Sequence, residues 1–127
     1  MKIAINGFGR IGRALLRASL DRPELKLEVV AINDLSSFET MAHLVKYDSV
    51  HGTWPIKIEA RQKKLCVVNK QLSFSDYHDP KAVDWEAYGV ELVLECTGNF
   101  RSMKSLRGYF ERGVKKVIVA APINEPE

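Results

Sequence analysis

A glycine-rich hexapeptide near the start of the chain constrains the fold more than any other feature of the sequence. Its residues are Gly7, Phe8, Gly9, Arg10, Ile11 and Gly12. A short apolar run at residues 2–6 precedes it, as expected of a buried parallel strand. The apolar side chains that follow recur at helical spacing and are Ile11, Ala14, Leu15 and Ala18. This order predicts a strand, a tight turn and a helix that buries those four side chains.

Apolar runs and amphipathic segments continue to alternate along the chain. Further core strands are expected at residues 27–32, 90–95 and 116–121, the last of them stopped by Pro122. A second helix is expected from Ser36, because its spacing to Glu39 is that of a capping box. The buried stripe of that helix would comprise Phe38, Met41, Ala42 and Val45.

A third helix is predicted between a cap at Ser102 and a C-terminal glycine at Gly113. Its expected buried stripe comprises Met103, Leu106 and Phe110. Residues 49–75 favour short antiparallel strands with a turn at residues 69–71, and Asp79 before a proline favours a brief helical turn. The alternation predicts an α/β fold: a Rossmann-type doubly wound, mostly parallel sheet with an inserted antiparallel segment.

Composition and charge exclude several classes of function. The 127 residues suit one domain, and 46% of them are hydrophobic. Nineteen Lys and Arg against 16 Asp and Glu leave a formal net charge of +3, and these charges are scattered, so nucleic-acid binding has little electrostatic support. Neither a membrane span nor a secretory signal is recognisable, which favours a cytoplasmic protein. The two Cys lie in different segments and do not suggest a disulfide framework.

The glycine loop and Asp34 together indicate a dinucleotide site. Between a strand and a helix, the first glycine permits the turn, the second admits a pyrophosphate, and the third lets helix and strand pack closely. The helix N-terminus offers free N–H groups and the positive end of its dipole to phosphates. Asp34 follows at about 20 residues, where an acid binds the adenosine ribose and repels a 2′-phosphate. Alone, the loop fits a simple turn and Asp34 fits a helix cap or turn residue, but the pair supports a dinucleotide site. The charge of Asp34 favours NAD over NADP.

The sequence around these residues resembles that of glyceraldehyde-3-phosphate dehydrogenases. The matching segments are Ala-Ile-Asn-Gly-Phe-Gly-Arg-Ile-Gly-Arg at 4–13, Val-Ala-Ile-Asn-Asp-Leu at 30–35, Lys-Tyr-Asp-Ser-Val-His-Gly at 46–52, Asp-Pro at 79–80, Glu-Cys-Thr-Gly at 95–98 and Ala-Pro at 121–122. They follow the family's order and spacing over the whole chain. The resemblance implies the NAD-binding part of a glycolytic oxidoreductase that oxidises and phosphorylates an aldehyde and is a homotetramer at full length.

The resemblance also implies a set of cofactor-binding residues. They are Asn6, Gly7, Phe8, Gly9, Arg10, Ile11, Gly12, Asn33, Asp34, Leu35, His78, Cys96, Thr97, Gly98 and Ala120. Arg10 and Ile11 would contact the pyrophosphate through their backbone. Asp34 would hold the adenine ribose beside Leu35, and residues 97–98 would lie near the nicotinamide.

Some positions depart from the family pattern. His78 stands where the family commonly has Arg beside the adenine, and Ala120 where it commonly has Ser or Thr, so position 120 offers no side-chain hydrogen bond. The Met-Ala-His-Leu segment at 41–44 is also similar to erythrose-4-phosphate dehydrogenase, a close relative. Asn-Asp-Leu at 33–35 looks more like the glyceraldehyde enzyme, which we therefore favour.

The resemblance implies a reaction for which residues 1–127 carry no machinery. It needs a Cys nucleophile, a His that activates it and a substrate domain, so we expect 1–127 to be a truncated NAD-binding domain, inactive alone and lacking the catalytic domain. The resemblance likewise implies that the α/β sheet is incomplete at its C-terminal end. Cys96 has no basic neighbour in sequence and is expected to be a small buried side chain. The three His have no metal-ligand spacing, so no metal site is expected. A stand-alone, non-catalytic NAD-binding module is the alternative from a different functional class.

Overall fold

The computed structural model describes residues 1–48, 54–68, 70–99 and 103–120. The strands within these ranges are β1 (Lys2–Asn6), β2 (Glu28–Asn33), β3 (Ile56–Glu59), β4 (Lys64–Val67), β5 (Lys70–Ser75), β6 (Leu92–Glu95) and β7 (Lys116–Val119). The helices are α1 (Arg10–Asp21), α2 (Phe38–Asp48) and α3 (Met103–Glu111). The predicted cap Ser102 and the predicted strand stop Pro122 lie outside the described residues.

One sheet contains these strands in the order β3-β4-β5-β2-β1-β6-β7. From β5 to β7 neighbouring strands are parallel, whereas β3, β4 and β5 pair antiparallel. The predicted α/β fold with an antiparallel insertion is therefore confirmed. The predicted turn at 69–71 was misplaced, because β5 already begins at Lys70 and the left-handed Val68 (φ 51°) precedes it.

The sheet is covered on both faces, and β1 shows why. Its side chains alternate, so that Ile5 packs in a core with Leu16 of α1 and Met41 of α2, while Ala4 packs with Leu106 of α3 on the other face. Both cores contain an aromatic pair: Phe38 and Phe74 with ring centroids 5.5 Å apart, and Trp85 and Tyr109 at 5.7 Å. Each pair contributes about 0.5–1.5 kcal/mol beyond the area it buries.

The buried face of α1 lies about one position from the predicted one, although the predicted Leu15 and Ala18 are half-buried and Leu15 packs against the core. The buried residues are Gly12, Leu16 and Ser19, whereas Ile11 is 53% exposed and Ala14 is also exposed. A Cβ at Gly12 would lie 2.8 Å from both Gly7 O and Ile5 Cγ2. The glycine therefore marks the side of the helix that approaches β1 most closely, and this contact fixes the rotation of α1.

The cap of α2 also differs from the prediction. Ser37, not Ser36, accepts a hydrogen bond from Thr40 N at its Oγ (3.1 Å), and its carbonyl accepts one from Met41 N (3.0 Å). The helix therefore starts one residue later than the capping-box spacing suggested. Its predicted stripe is confirmed, because Phe38, Met41, Ala42 and Val45 are buried. The predicted cap at Asp79 is confirmed as well, since Asp79 Oδ1 accepts a hydrogen bond from Lys81 N (2.9 Å).

Two members of the predicted stripe of α3 are exposed. Met103 is 49% and Phe110 44% exposed, while Leu106 and Tyr109 are buried. Tyr109 faces the sheet because its ring packs in the core and its hydroxyl group reaches buried polar partners there. Gly113 ends this segment as predicted, with φ 88° and with its N–H bonded to Phe110 O.

Candidate dinucleotide site

A cleft of about 350 Å³ opens at the carboxyl ends of the central strands. β1 pairs with β2 on one side and β6 on the other, and the helices that follow pack on opposite faces. In open α/β sheets, ligands bind outside the carboxyl ends of the strands at the point where the strand order reverses, which here is beside β1. The residues that line the cleft are Asn6, Gly7, Phe8, Gly9, Asn33, Asp34, Leu35, Tyr77, His78, Cys96, Thr97 and Asn99.

The three glycines of the loop have different surroundings. Gly7 has φ 95°, and a Cβ there would lie 2.9 Å from Cys96 C and from Thr97 N. At Gly12 a Cβ would also meet neighbouring atoms, as described above. A Cβ at Gly9 would meet no atom within 4 Å among the described residues. Packing explains the first and third glycines, whereas Gly9 leaves open space at the mouth of the cleft.

The N-terminus of α1 faces this open space. Gly9 is the N-cap, and within the described part of the chain it makes no side-chain capping bond and the first turn carries no acid. The first N–H groups of a helix have no partner inside the helix. Arg10, Ile11 and Gly12 do not line the cleft, so their predicted part in cofactor binding stays a prediction. A helix N-terminus offers an anion main-chain N–H groups and the positive end of its dipole.

Asp34 and Leu35 form the wall that follows β2. Asp34 is half-buried, and its Oδ1 accepts a hydrogen bond from Leu35 N (2.8 Å). Its own N–H donates to Ser75 O (2.9 Å), which ties the end of β2 to β5. Leu35 is 55% exposed and presents apolar surface to the cleft. A carboxylate held by its neighbour's N–H is suited to accept hydrogen bonds from the hydroxyl groups of a ribose.

Tyr77 and His78 line the cleft after β5. His78 was a predicted site residue, and Tyr77 was not. Tyr77 is 49% exposed, yet its backbone is fixed: its N–H donates to Asn33 Oδ1 (2.9 Å) and its carbonyl accepts from Asn33 Nδ2 (2.8 Å). Tyr77 follows β5, which pairs parallel with β2 and ends at the same edge of the sheet. This position was the one signal that could have placed Tyr77 in the cleft. The sequence did not predict Tyr77 as a site residue, because it did not predict the parallel pairing of β5 with β2.

Cys96, Thr97 and Asn99 line the cleft after β6. Thr97 Oγ1 accepts a hydrogen bond from Asn99 N (3.1 Å), which folds this segment back on itself. Asn99 was not predicted, and no motif in the sequence points to it. Gly98 lies between them with φ 77° and is exposed, but does not line the cleft. Ala120 is bonded to Glu95 O through its N–H (2.8 Å) and is not a lining residue either, so its predicted role stays a prediction.

Burial raises the pKa values of two ionisable groups at the base of the cleft, Cys96 and Glu95. Burial, followed by the charge of Glu95, raises the pKa of the Cys96 thiol to about 11. Glu95 itself is 1% exposed, and this burial raises its pKa although Thr97, Tyr109 and Asn6 donate hydrogen bonds to it. A thiol with so high a pKa is a poor nucleophile. Cys96 is therefore a half-buried and weakly nucleophilic side chain.

These observations fit a dinucleotide better than other ligands. Open space lies beside an uncapped helix N-terminus, and a single carboxylate, Asp34, lies along the cleft wall. Across the described ranges, no three His, Cys, Asp or Glu side chains converge as a metal site. None of the helices that the structure describes is long and apolar enough to cross a membrane.

Comparison with known proteins gives the same assignment. The family model described as "Glyceraldehyde 3-phosphate dehydrogenase, NAD binding domain" matches residues 1–103. Glyceraldehyde-3-phosphate dehydrogenase 3 of a Nostoc species is 51% identical over 126 residues, which cover 98% of this chain and 37% of that relative. Glyceraldehyde-3-phosphate dehydrogenase of Thermotoga maritima is 45% identical over 121 residues, 95% of this chain and 36% of that protein.

Glyceraldehyde-3-phosphate dehydrogenase 1 of Bacillus cereus is 44% identical over 126 residues, or 99% of this chain and 37% of the relative. The chain thus spans a little over a third of the length of the curated relatives that it matches. Across that third, the match includes the glycine loop, Asp34 and both walls of the cleft. The chain therefore belongs to the glyceraldehyde-3-phosphate dehydrogenase family, in the part that forms its NAD-binding domain.

Proposed function

We propose that the cleft holds NAD with its pyrophosphate at the N-terminus of α1, its adenosine ribose at Asp34 and its nicotinamide toward Thr97. The open space at Gly9 carries this proposal. A glycine with no packing reason among the described residues, placed at an uncapped helix N-terminus, is the feature that lets a pyrophosphate approach the backbone. Family membership supports the choice of NAD as the dinucleotide.

Each wall has a separate part in binding. The N–H groups of the first turn of α1 donate to phosphate oxygens, and Asp34 accepts from the ribose hydroxyl groups. Leu35 and the ring of Tyr77 offer apolar surface to the adenine. Residues 97–99 form the far wall and limit where the nicotinamide can lie. NAD supplies hydride acceptance, and the protein supplies binding and orientation.

The whole protein is proposed to be a phosphorylating glyceraldehyde-3-phosphate dehydrogenase of the cytoplasm. The names of the relatives and their identity over nearly all of this chain support this. Residues 1–127 belong to the NAD-binding domain in this proposal, and the reacting Cys, its His and the substrate domain are assigned to other residues. A homotetramer is proposed for that longer protein, following the family.

Replacing Asp34 tests the cofactor assignment. Asp34→Asn keeps an oxygen for the Leu35 N–H but removes the charge that repels a 2′-phosphate. The affinity for NADP, measured by calorimetry, should rise about tenfold relative to that for NAD, equivalent to about 1.4 kcal/mol. Asp84→Asn is the control, because the Asp84 carboxylate likewise accepts a backbone N–H, from Ala87, and lies away from the cleft. An unchanged NADP to NAD ratio in Asp34→Asn would contradict the placement of the ribose.

An activity assay tests the reaction. The longer protein that carries this sequence should reduce NAD in the presence of glyceraldehyde 3-phosphate and inorganic phosphate. Parallel assays with erythrose 4-phosphate address the alternative that the segment at 41–44 raises. A faster reaction with erythrose 4-phosphate would favour that relative, and NAD binding without turnover of either aldehyde would favour a non-catalytic module.

A further inference from the structure

Polar side chains form a continuous row across the sheet directly beneath the cleft. Their residues end neighbouring strands and are paired in register: Ser75 with Asn33, Asn33 with Asn6, and Asn6 with Glu95. The side chains are bonded in the same order, Ser75 Oγ to Asn33 Oδ1 (2.7 Å), Asn33 Nδ2 to Asn6 Oδ1 (2.9 Å) and Asn6 Nδ2 to Glu95 Oε1 (2.9 Å). We call these four residues the polar rung.

Three of the four members of the polar rung are buried, and Ser75 is half-buried. Asn6 and Asn33 are 2% exposed and Glu95 is 1% exposed. Asn33 uses both of its lone pairs, for Ser75 and Tyr77 N, and both amide hydrogens, for Asn6 and Tyr77 O. A buried polar network whose members are satisfied in this way is rigid and has one orientation.

Two members of the polar rung, Asn33 and Glu95, are attached to walls of the cleft. Asn33 holds the backbone of Tyr77 by two hydrogen bonds, to its N–H and its carbonyl. Glu95 accepts from Thr97 Oγ1 at 3.0 Å and 3.3 Å, and Thr97 Oγ1 in turn accepts from Asn99 N. Asn6 joins Asn33 to Glu95, and Tyr109 Oη accepts a further hydrogen bond from Asn6 Nδ2 (2.7 Å).

We propose that the polar rung positions the two walls of the cleft, residues 77–78 and 97–99, at the separation that a bound dinucleotide requires. Asn33, Asn6 and Glu95 are its positioning residues, and their effect on the ligand passes through Tyr77 and Thr97. This inference rests on the proposed binding of NAD in the cleft. It assigns a part in binding to Glu95 and to the side chains of Asn6 and Asn33 below the surface that touches the ligand.

Amide hydrogen exchange of the protein without ligand tests the attachment itself. Asn33→Ala removes the acceptor of the Tyr77 N–H, so exchange at Tyr77 should be at least about tenfold faster while amides in the middle of β1 keep their protection. Glu95→Ala should have the same effect at Asn99. Ser19→Ala is the matched control, since Ser19 is 3% exposed and donates to Leu16 O away from the cleft. Unchanged exchange at Tyr77 and Asn99 would overturn the proposal.

Calorimetry with NAD and with its two halves tests the effect on binding. Asn33→Ala should lower the affinity for AMP and NAD by about tenfold relative to Ser19→Ala. Glu95→Ala should lower the affinity for nicotinamide mononucleotide and NAD by about tenfold relative to the same control. A general loss of stability would not separate the two halves in this way. Glu95→Gln retains an acceptor for Asn6 and should remain within about threefold of the unaltered protein.

The outcomes separate this proposal from the proposed function. If the unaltered protein binds NAD and the Ala variants bind it as Ser19→Ala does, the polar rung has no positioning part and only this proposal fails. If the unaltered protein does not bind NAD, both proposals fail. Should the Ala variants not fold, Asn33→Asp replaces Asn33→Ala. It retains the acceptors for Ser75 and Tyr77 N but loses both donors, so it must still weaken AMP, and normal AMP affinity in it would overturn the proposal.

Discussion

Gly9 and Gly12 lie in one short loop, yet an added methyl group would act differently at the two positions. At Gly12 it would meet the backbone of Gly7 and the side chain of Ile5 at 2.8 Å, and at Gly9 it would meet no described atom within 4 Å. The spacing of the motif predicted the loop. Which glycine serves packing and which leaves space for a ligand depends on the distance between helix and strand, and this required the structure.

The Cys96 thiol should be slow to react at neutral pH. With a pKa of about 11, roughly 0.1% of it is thiolate at pH 8, against about a quarter for an ordinary cysteine. Iodoacetamide should therefore modify Cys96 about a hundredfold more slowly in the folded protein than after denaturation, as followed by peptide mass spectrometry. The rate should rise with pH toward pH 11. Rapid modification at pH 8 with a midpoint near pH 8.5 would contradict the burial of this group.

At the scale of elements, the period of the apolar pattern predicted each helix but not always the face that it buries. In α1 the apolar residues Ile11 and Ala14 suggested one face, and the close approach at Gly12 turned the helix to another. In α3 Tyr109 is buried and Phe110 is exposed, because the Tyr109 hydroxyl group accepts a hydrogen bond from Asn6 of the polar rung. Sequence patterns count apolar residues and do not include such polar contacts.

A pair of substitutions in α1 tests which face is buried. Leu16→Ala removes a side chain that is 1% exposed and should lower the free energy of unfolding by about 2–5 kcal/mol. Ile11→Ala should change it by no more than about 0.5 kcal/mol, because Ile11 is 53% exposed. Denaturant titration of both variants gives the comparison. A larger cost for Ile11→Ala than for Leu16→Ala would support the face expected from the sequence and contradict the structure.

For the whole molecule, the alternation of strands and helices was enough to predict a mostly parallel sheet. Residues distant in sequence, such as Asn33, Tyr77 and Asn99, meet only because β5, β2, β1 and β6 are neighbours that end at one edge. The glycine loop and Asp34 were predicted because they belong to one local unit. The positions of Tyr77 and Asn99 in the cleft, and of Glu95 in the polar rung, follow from the strand order. The sequence around these residues carries no signal of that order.

The stability of the whole protein should depend on pH through Glu95. Burial raises its pKa in the folded state above the ordinary value of 4.5, so between those two values the folded state binds more protons than the unfolded state. The stabilisation is fully present below pH 4.5 and is lost as the pH rises through the folded pKa. Glu95→Gln lacks this titration. Its free energy of unfolding should therefore rise relative to that of the unaltered protein over this pH range.

Denaturant titrations at several pH values measure this difference, with the exposed Glu91→Gln as control. The control should keep a small and nearly constant offset from the unaltered protein. A difference between Glu95→Gln and the unaltered protein that does not change with pH, or that changes in the opposite direction, would mean that the carboxyl group is not desolvated as the structure has it.

The central claim is that the cleft beside Gly9 binds NAD, and calorimetric titration of NAD into the unaltered protein and Gly9→Ala tests it most directly. The substitution should lower the unfolding temperature by only a few degrees, since Gly and Ala differ by about 1 kcal/mol at an N-cap and the added methyl group meets open space. It should lower the affinity for NAD at least about tenfold, because the methyl group occupies the path of the pyrophosphate to α1. Equal NAD affinity in the two proteins, or no binding to the unaltered protein, would contradict the claim.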